Sequence, residues 1–180
     1  MRIFRHSLAF AATLFVIALL PARSQSAPKQ KEQKHFSAED DSVNNPVVIP
    51  ADALALLAKD DRVRNVLEDQ KIAPADLPSS WFSAAEVKLG SKGEKDLIVM
   101  AEGPLRGANI NPFWIFIHDG NGFKLALSVS LHDLAVKRTH SHGYRDLESS
   151  GMAASTFSIA RFRFDGNEYK ESSEKTTEIK

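Results

Sequence analysis

His140 and His142, one residue apart in the stretch Thr139-His140-Ser141-His142-Gly143, are the pair whose type and spacing come nearest to a metal site. On a strand, alternation sends residues two apart to the same face, so both imidazoles would aim to one side and could ligate zinc or copper. Such a site needs a third and a fourth ligand, and neither His118 nor His132 stands at a motif spacing that recruits it. A polar loop ending in Gly143 is the plainer reading. The pair still defines one alternative, a small metal-binding protein or metal-dependent hydrolase centred on His140 and His142. Asp119-Gly120-Asn121-Gly122 alternates oxygen ligands with glycine in the manner of a calcium loop, yet the twelfth position is Ser130, which has no bidentate carboxylate to give. It reads as a hairpin turn. Ser172-Ser173-Glu174-Lys175 has the Ser-x-x-Lys spacing of an acylating serine but stands in a polar tail without the partner motifs. No Gly-x-Ser-x-Gly, His-Glu-x-x-His or phosphate-cradling glycine loop occurs, so no catalytic residue and no cofactor is assigned.

Binding chemistry has better candidates. Glu102 to Pro112 (EGPLRGANINP) joins two apolar segments through eleven residues, long for a hairpin connection, which marks Leu105, Arg106 and Asn109 as candidate binding residues. Arginines recur at 106, 138, 145, 161 and 163. If Arg145, Arg161 and Arg163 converged with Arg106, they would clamp a carboxylate, a phosphate or an acidic partner. Alternation places Arg161 and Arg163 side by side on a solvent face and sends Arg145 and Asp146 to opposite faces. A solvated face with cross-strand ion pairs is the competing reading.

The elements that must position these residues follow from periodicity. Pro50 to Gln70 is helical in pattern, with Leu54, Leu57 and Ala58 on one face, and Asp60-Asp61 resembles an N-cap for a second short helix that turns Val63, Val66 and Leu67 inward. After Pro74 and Pro78 the period changes to two. Strands are predicted at Phe82 to Leu89, Asp96 to Ala101, Pro112 to His118, Phe123 to Leu131, Leu134 to Arg138, Tyr144 to Ser149, Ala154 to Phe164 and Glu168 to Lys170. Asp119-Gly120-Asn121-Gly122 makes the third and fourth a hairpin. In Phe113 to Ile117 both faces are apolar, which asks for cover on each side. Phe123 to Leu131 alternates cleanly, as a strand with one buried and one wetter face does. The parity of Phe157 and Ile159 against that of Phe162 and Phe164 asks for a bulge near Ala160. The predicted class is α+β: one or two short N-terminal helices followed by an antiparallel β-meander of about six to eight strands.

Residues 1–26 have the pattern of a cleavable secretory signal peptide. Arg2, Arg5 and His6 precede the apolar run Ser7 to Leu20, and small residues follow Pro21. A helix over that run would measure roughly 21 Å against a hydrocarbon core of roughly 30 Å, so cleavage near Ser26 fits better than an anchor. With no cysteine in the chain, a lipid-bearing cysteine and any disulfide are excluded. The leader takes three of the 23 basic side chains and none of the 23 acidic ones, leaving a formal charge of −3 and nucleic acid a poor partner. Residues 27–46 read as a disordered linker, 47–170 as a single domain and 171–180 as a frayed polar tail.

The strings Ser80-Trp81-Phe82, Asp96-Leu97-Ile98-Val99, Gly107-Ala108-Asn109, Asn111-Pro112-Phe113-Trp114-Ile115-Phe116, Gly143-Tyr144-Arg145-Asp146-Leu147 and Phe164-Asp165-Gly166-Asn167-Glu168-Tyr169 lie between Ser80 and Lys170. Together they resemble small exported bacterial proteins of unknown function. The resemblance implies export and a β-rich domain and carries over no catalytic residue. The reading that follows is a periplasmic or secreted, soluble, non-enzymatic binding module, free of any membrane anchor after cleavage, that holds a protein, peptide or envelope component.

Overall fold

The computed structural model describes residues 32–91 and 93–179, which belong to one compact unit. The expected leader, and the expected linker up to residue 31, lie outside the described residues. Among the described residues there are nine strands, two short α-helices and three single turns of 3₁₀ helix. Strand β1 (His35–Ser37) precedes helices α1 (Ala51–Leu57) and α2 (Asp61–Gln70). The strands β2 (Phe82–Val87), β3 (Asp96–Ala101), β4 (Asn111–His118) and β5 (Phe123–Leu131) form a four-stranded sheet in that order. The five-stranded sheet has the order β1-β6-β7-β8-β9, with β6 at Asp133–Ser141, β7 at Tyr144–Ala153, β8 at Thr156–Phe164 and β9 at Tyr169–Glu178. Every pairing is antiparallel.

This corrects the expected α+β class. The fold is predominantly antiparallel sheet, a strand precedes the helices, and the nine strands make two sheets rather than one meander of six to eight. Two stretches discounted for their polarity supply the difference. Inside the expected linker, β1 pairs with β6, flanked by backbone bonds from Val136 N to Lys34 O (2.8 Å) and from Ala38 N to His132 O (2.7 Å). Phe36 is wholly buried, which contributes about 1.5–3 kcal/mol, and this burial acts together with the β1–β6 ladder to hold the polar segment. The expected tail is the edge strand β9. Past Tyr169 it is exposed throughout and held by its ladder to β8, so neither face shows a hydrophobic period.

The four-stranded sheet is a central layer. One face, through Ile98, Met100, Phe113 and Ile115, packs on Phe36, Leu134, Leu147, Phe162 and Phe164 of the five-stranded sheet. The other, through Leu97, Val99, Trp114 and Phe116, packs on Ala53, Leu57, Val63 and Leu67 of the helices. The doubly apolar strand β4 therefore has its two covers. Strand β5 departs from its expected single buried face. Ile115 pairs with Leu127 and Phe116 with Leu125, so Ala126 is one extra residue on the β5 side. The bulge sends Phe123 and Leu125 to the helices and Leu127, Val129 and Leu131 to the opposite sheet, although all five share one parity. In β8 the expected bulge near Ala160 is absent, because its pairing with β7 runs unbroken and Phe157 and Ile159 lie on the face opposite Phe162. The irregularity sits across from it, where Ser172 is the extra residue of β9.

Helix α2 is fixed to the central sheet by one network. Asp60 caps it, accepting from Arg62 N, while its Oδ2 accepts from Trp114 Nε1 (2.8 Å) and Ser128 Oγ (2.6 Å). Arg62 donates to Ser128 and Ser130 and lies over the Trp114 ring. Burial works against the charged Asp60, but the Ser128 and Trp114 hydrogen bonds and the Arg62 charge more than offset it, and the carboxyl lies below its usual range.

Candidate functional site

The space between the sheets opens differently at its two ends. At the end holding the 118–123 and 141–144 turns lies a cleft of about 240 Å³ lined by Gly90, Glu94, Asp96, His118, His142 and Tyr144. Asp96 is the buried carboxylate there. Its Oδ2 accepts from Leu89 N (2.8 Å) and Gly90 N (3.1 Å), and its Oδ1 accepts from His118 N (3.0 Å). Burial nevertheless pushes the group above the ordinary carboxylate range. With both oxygens committed to backbone donors, Asp96 ties the ends of β2, β3 and β4 together. Tyr144, whose ring packs tilted against that of Phe164 with centroids 4.4 Å apart, also lines the cleft, and burial raises its hydroxyl pKa, as do the nearby charges of Asp96, Glu94 and Asp119.

At the opposite end the five-stranded sheet extends past the four-stranded one and leaves a groove of about 660 Å³, within the size range of ligand pockets. Its floor is the inner face of β7 and β8, where parity with the core residues Leu147 and Phe162 brings up Ser149, Gly151, Ser158 and Ala160. At Gly151 the strand comes close to the β5–β6 corner: a Cβ there would stand 3.3 Å from His132 Cβ, a tight contact. Val129 and Leu131 of β5 form an apolar wall, and Asn109, Ile110 and Met152 form the rim. Ile110 is 55% exposed and places a large apolar side chain in solvent beside the opening, whereas the exposed Met152 at the hairpin end shares the outward parity of Glu148. Glu171 and Glu174 of β9 line it as well, and neither makes an ion pair or hydrogen bond to another described residue.

The six candidate binding residues are dispersed. Leu105 is buried in the helix-side core. Arg106 clamps the 38–41 segment, donating to Ala38 O and Asp41 O (3.2 Å each) beside Glu102, whose carboxyl burial raises. The long loop closes on itself around buried Asn111, which donates to Ala101 O. Asn109 alone reaches the groove. Arg145 is spent on structure: its Nε donates to Lys137 O (2.8 Å), where β6 bulges, and its Nη1 lies 3.5 Å from Glu32. Arg161 and Arg163 stand side by side, exposed, on the outer face of the five-stranded sheet, with Arg161 Nε 3.1 Å from Glu148. His140 and His142 also part. His140 is exposed on β6 opposite Arg145, whereas His142 occupies the turn at φ +48° with Nδ1 2.8 Å from Phe164 O and shares the cleft with His118. Among the described residues, no group of three or more His, Cys, Asp or Glu is arranged to hold a metal ion.

The groove residues that sequence reasoning passed over are Val129, Leu131, Gly151, Met152, Ser158, Glu171 and Glu174. The signal for Gly151 and Ser158 was small size at every second position of adjoining strands. Compared with known proteins, the chain matches no family model, no curated protein and no solved structure.

Proposed function

We propose that this chain is an exported, non-enzymatic binding module whose ligand lies in the groove between β5 and the free half of the β7–β8 hairpin. The groove carries the reading: a cavity of this size, walled by Val129 and Leu131 and with exposed Ile110 at its rim, is the ordinary form of a ligand site. Export rests on the leader pattern of residues 1–26, and a periplasmic or extracellular setting accords with a chain free of cysteine. The ligand on this reading is a protein, a peptide or another envelope component. Nucleic acid is disfavoured by the formal charge of −3 outside the leader pattern. None of the described helices is long and apolar enough to cross a membrane.

A photo-crosslinking residue placed at Ile110 on the groove rim, and separately at Arg163 on the outer face of the five-stranded sheet, tests this in cells that export the protein. Adducts should form from position 110, be absent from position 163, and disappear when Ser158→Trp fills the groove floor. Equal labelling from both positions, or adducts that persist in Ser158→Trp, would refute it. Fractionation of the same cells checks export: recovery solely in the cytoplasm with the leader intact would remove that half of the reading.

A further inference from the structure

Strand β5 is an edge. Its one sheet neighbour among the described residues is β4, so alternate residues turn their N–H and C=O groups away from the sheet. The part of that edge beside the groove is Val129 to Leu131. A chain laid along it would find three matched features. The free backbone edge supplies main-chain partners, as in peptide recognition by strand addition. Across the gap, the small floor residues Gly151, Ser158 and Ala160 leave room beneath such a chain for long side chains. At the end of that reach stand the unpaired carboxylates of Glu171 and Glu174, while no Lys or Arg lines the groove.

We propose that the groove captures an extended, basic segment of a protein chain, which adds to the free edge of β5 as a fifth strand and points alternate lysine or arginine side chains at Glu171 and Glu174. This rests on the binding-module reading and deepens it. The floor from Ser149 to Ala153 accommodates about four to five residues at about 3.3 Å each, the length of a short strand. Edge backbone gives affinity with little demand on sequence, and the two carboxylates select for positive charge. The apolar wall of Val129 and Leu131 takes the stems of those side chains, whose charged ends pass on to the acids.

Calorimetric titration of the full chain with a seven-residue, end-capped peptide of alternating lysine and valine tests the proposal. Three comparisons accompany it: the glutamate–valine counterpart, the lysine–valine peptide N-methylated at every second residue in each of the two registers, and the E171Q/E174Q protein. The lysine–valine peptide should bind saturably and the glutamate–valine peptide should not. One N-methyl register should lose affinity by about tenfold or more while the other keeps it, because a single edge of the peptide is used. E171Q/E174Q should weaken binding by about tenfold and flatten its salt dependence, with the melting temperature unchanged. Equal binding of both N-methyl registers overturns strand addition, and indifference to E171Q/E174Q overturns the charge selection. If the lysine–valine peptide does not bind while groove-dependent adducts still form at position 110, the peptide proposal falls and the binding-module reading stands. Saturable uptake of a fluorescent fatty acid in place of the peptide would likewise reassign the groove to an apolar ligand.

Discussion

The two halves of the β7–β8 hairpin share one continuous register and are furnished in opposite ways. In the half beneath the four-stranded sheet, Leu147 faces across to Phe162, and Phe164 follows, packed on Tyr144 and Tyr169. In the half beyond it, the same inward parity carries Ser149, Gly151, Ser158 and Ala160. The backbone hardly distinguishes the halves, and side-chain volume does. Where a second sheet provides an apolar roof, large side chains fill the space to core density. Where β5 turns into β6 and the roof stops, small ones leave a trough. A cavity in this protein is thus specified by what the strands omit.

The largest expected effect breaks the roofed half. Phe162→Ala should cost about 3–5 kcal/mol in urea unfolding, because a buried aromatic leaves a cavity that two packed sheets cannot close. Comparable loss from Ser158→Ala would erase the distinction between the halves.

Next comes the anchor of the roof. Asp60→Ala should cost about 2–3 kcal/mol at neutral pH, since it removes an N-cap and strands the buried donors of Trp114 and Ser128. The folded pKa of Asp60 lies below the ordinary 3.8, so its contribution is present above that value and fades as pH falls through the folded pKa. Stability curves of wild type and Asp60→Asn should accordingly converge below about pH 4. A gap that stays constant into acid would show that the charge is irrelevant.

On the outer face, Glu148 pairs with Lys137 at 2.8 Å and Arg161 at 3.1 Å, and the Lys137 hydrogen bond leads in holding its carboxyl below the usual 4.5. Glu148→Gln should cost about 0.2–1 kcal/mol at pH 7 and low salt, less at high salt, with the difference vanishing as pH falls below the ordinary glutamate range. The smallest effect belongs to the unroofed half: Ser158→Ala should change stability by less than about 0.5 kcal/mol in the same urea measurement.

How much of this was legible in the sequence follows from which features are local. The Asp119-Gly120-Asn121-Gly122 turn, the Asp60 cap and the two apolar faces of β4 are written in neighbouring residues, and the structure contains all three. Strand β1 was hidden because a three-residue strand carries no period, and its single buried side chain, Phe36, has meaning only opposite Leu134. Strand β9 was hidden because an exposed edge strand alternates nothing. The bulge at Ala126 left the pattern of β5 intact while splitting its faces, a change that only the facing strand reveals. Arg161 and Arg163 were legible as neighbours on a solvent face, whereas the partner of each arginine was not, for charge along a chain does not say which carboxylate or carbonyl each one meets. Of the groove, Asn109 was anticipated from loop length, whereas Glu171 and Glu174 come to it only through the pairing of β9 with β8 and stood in what read as a tail.

The extra residue at Ala126 also determines how the molecule comes apart. By turning midway, β5 gives Phe123 and Leu125 to one hydrophobic cluster and Leu127, Val129 and Leu131 to the other, so a single strand is a structural member of both. Helices that might peel from a one-sided sheet, and a second sheet that might slide off its partner, are instead fastened by the same nine residues. Melting should then be one cooperative event, with the amides of β4 and β5 the last to exchange with solvent.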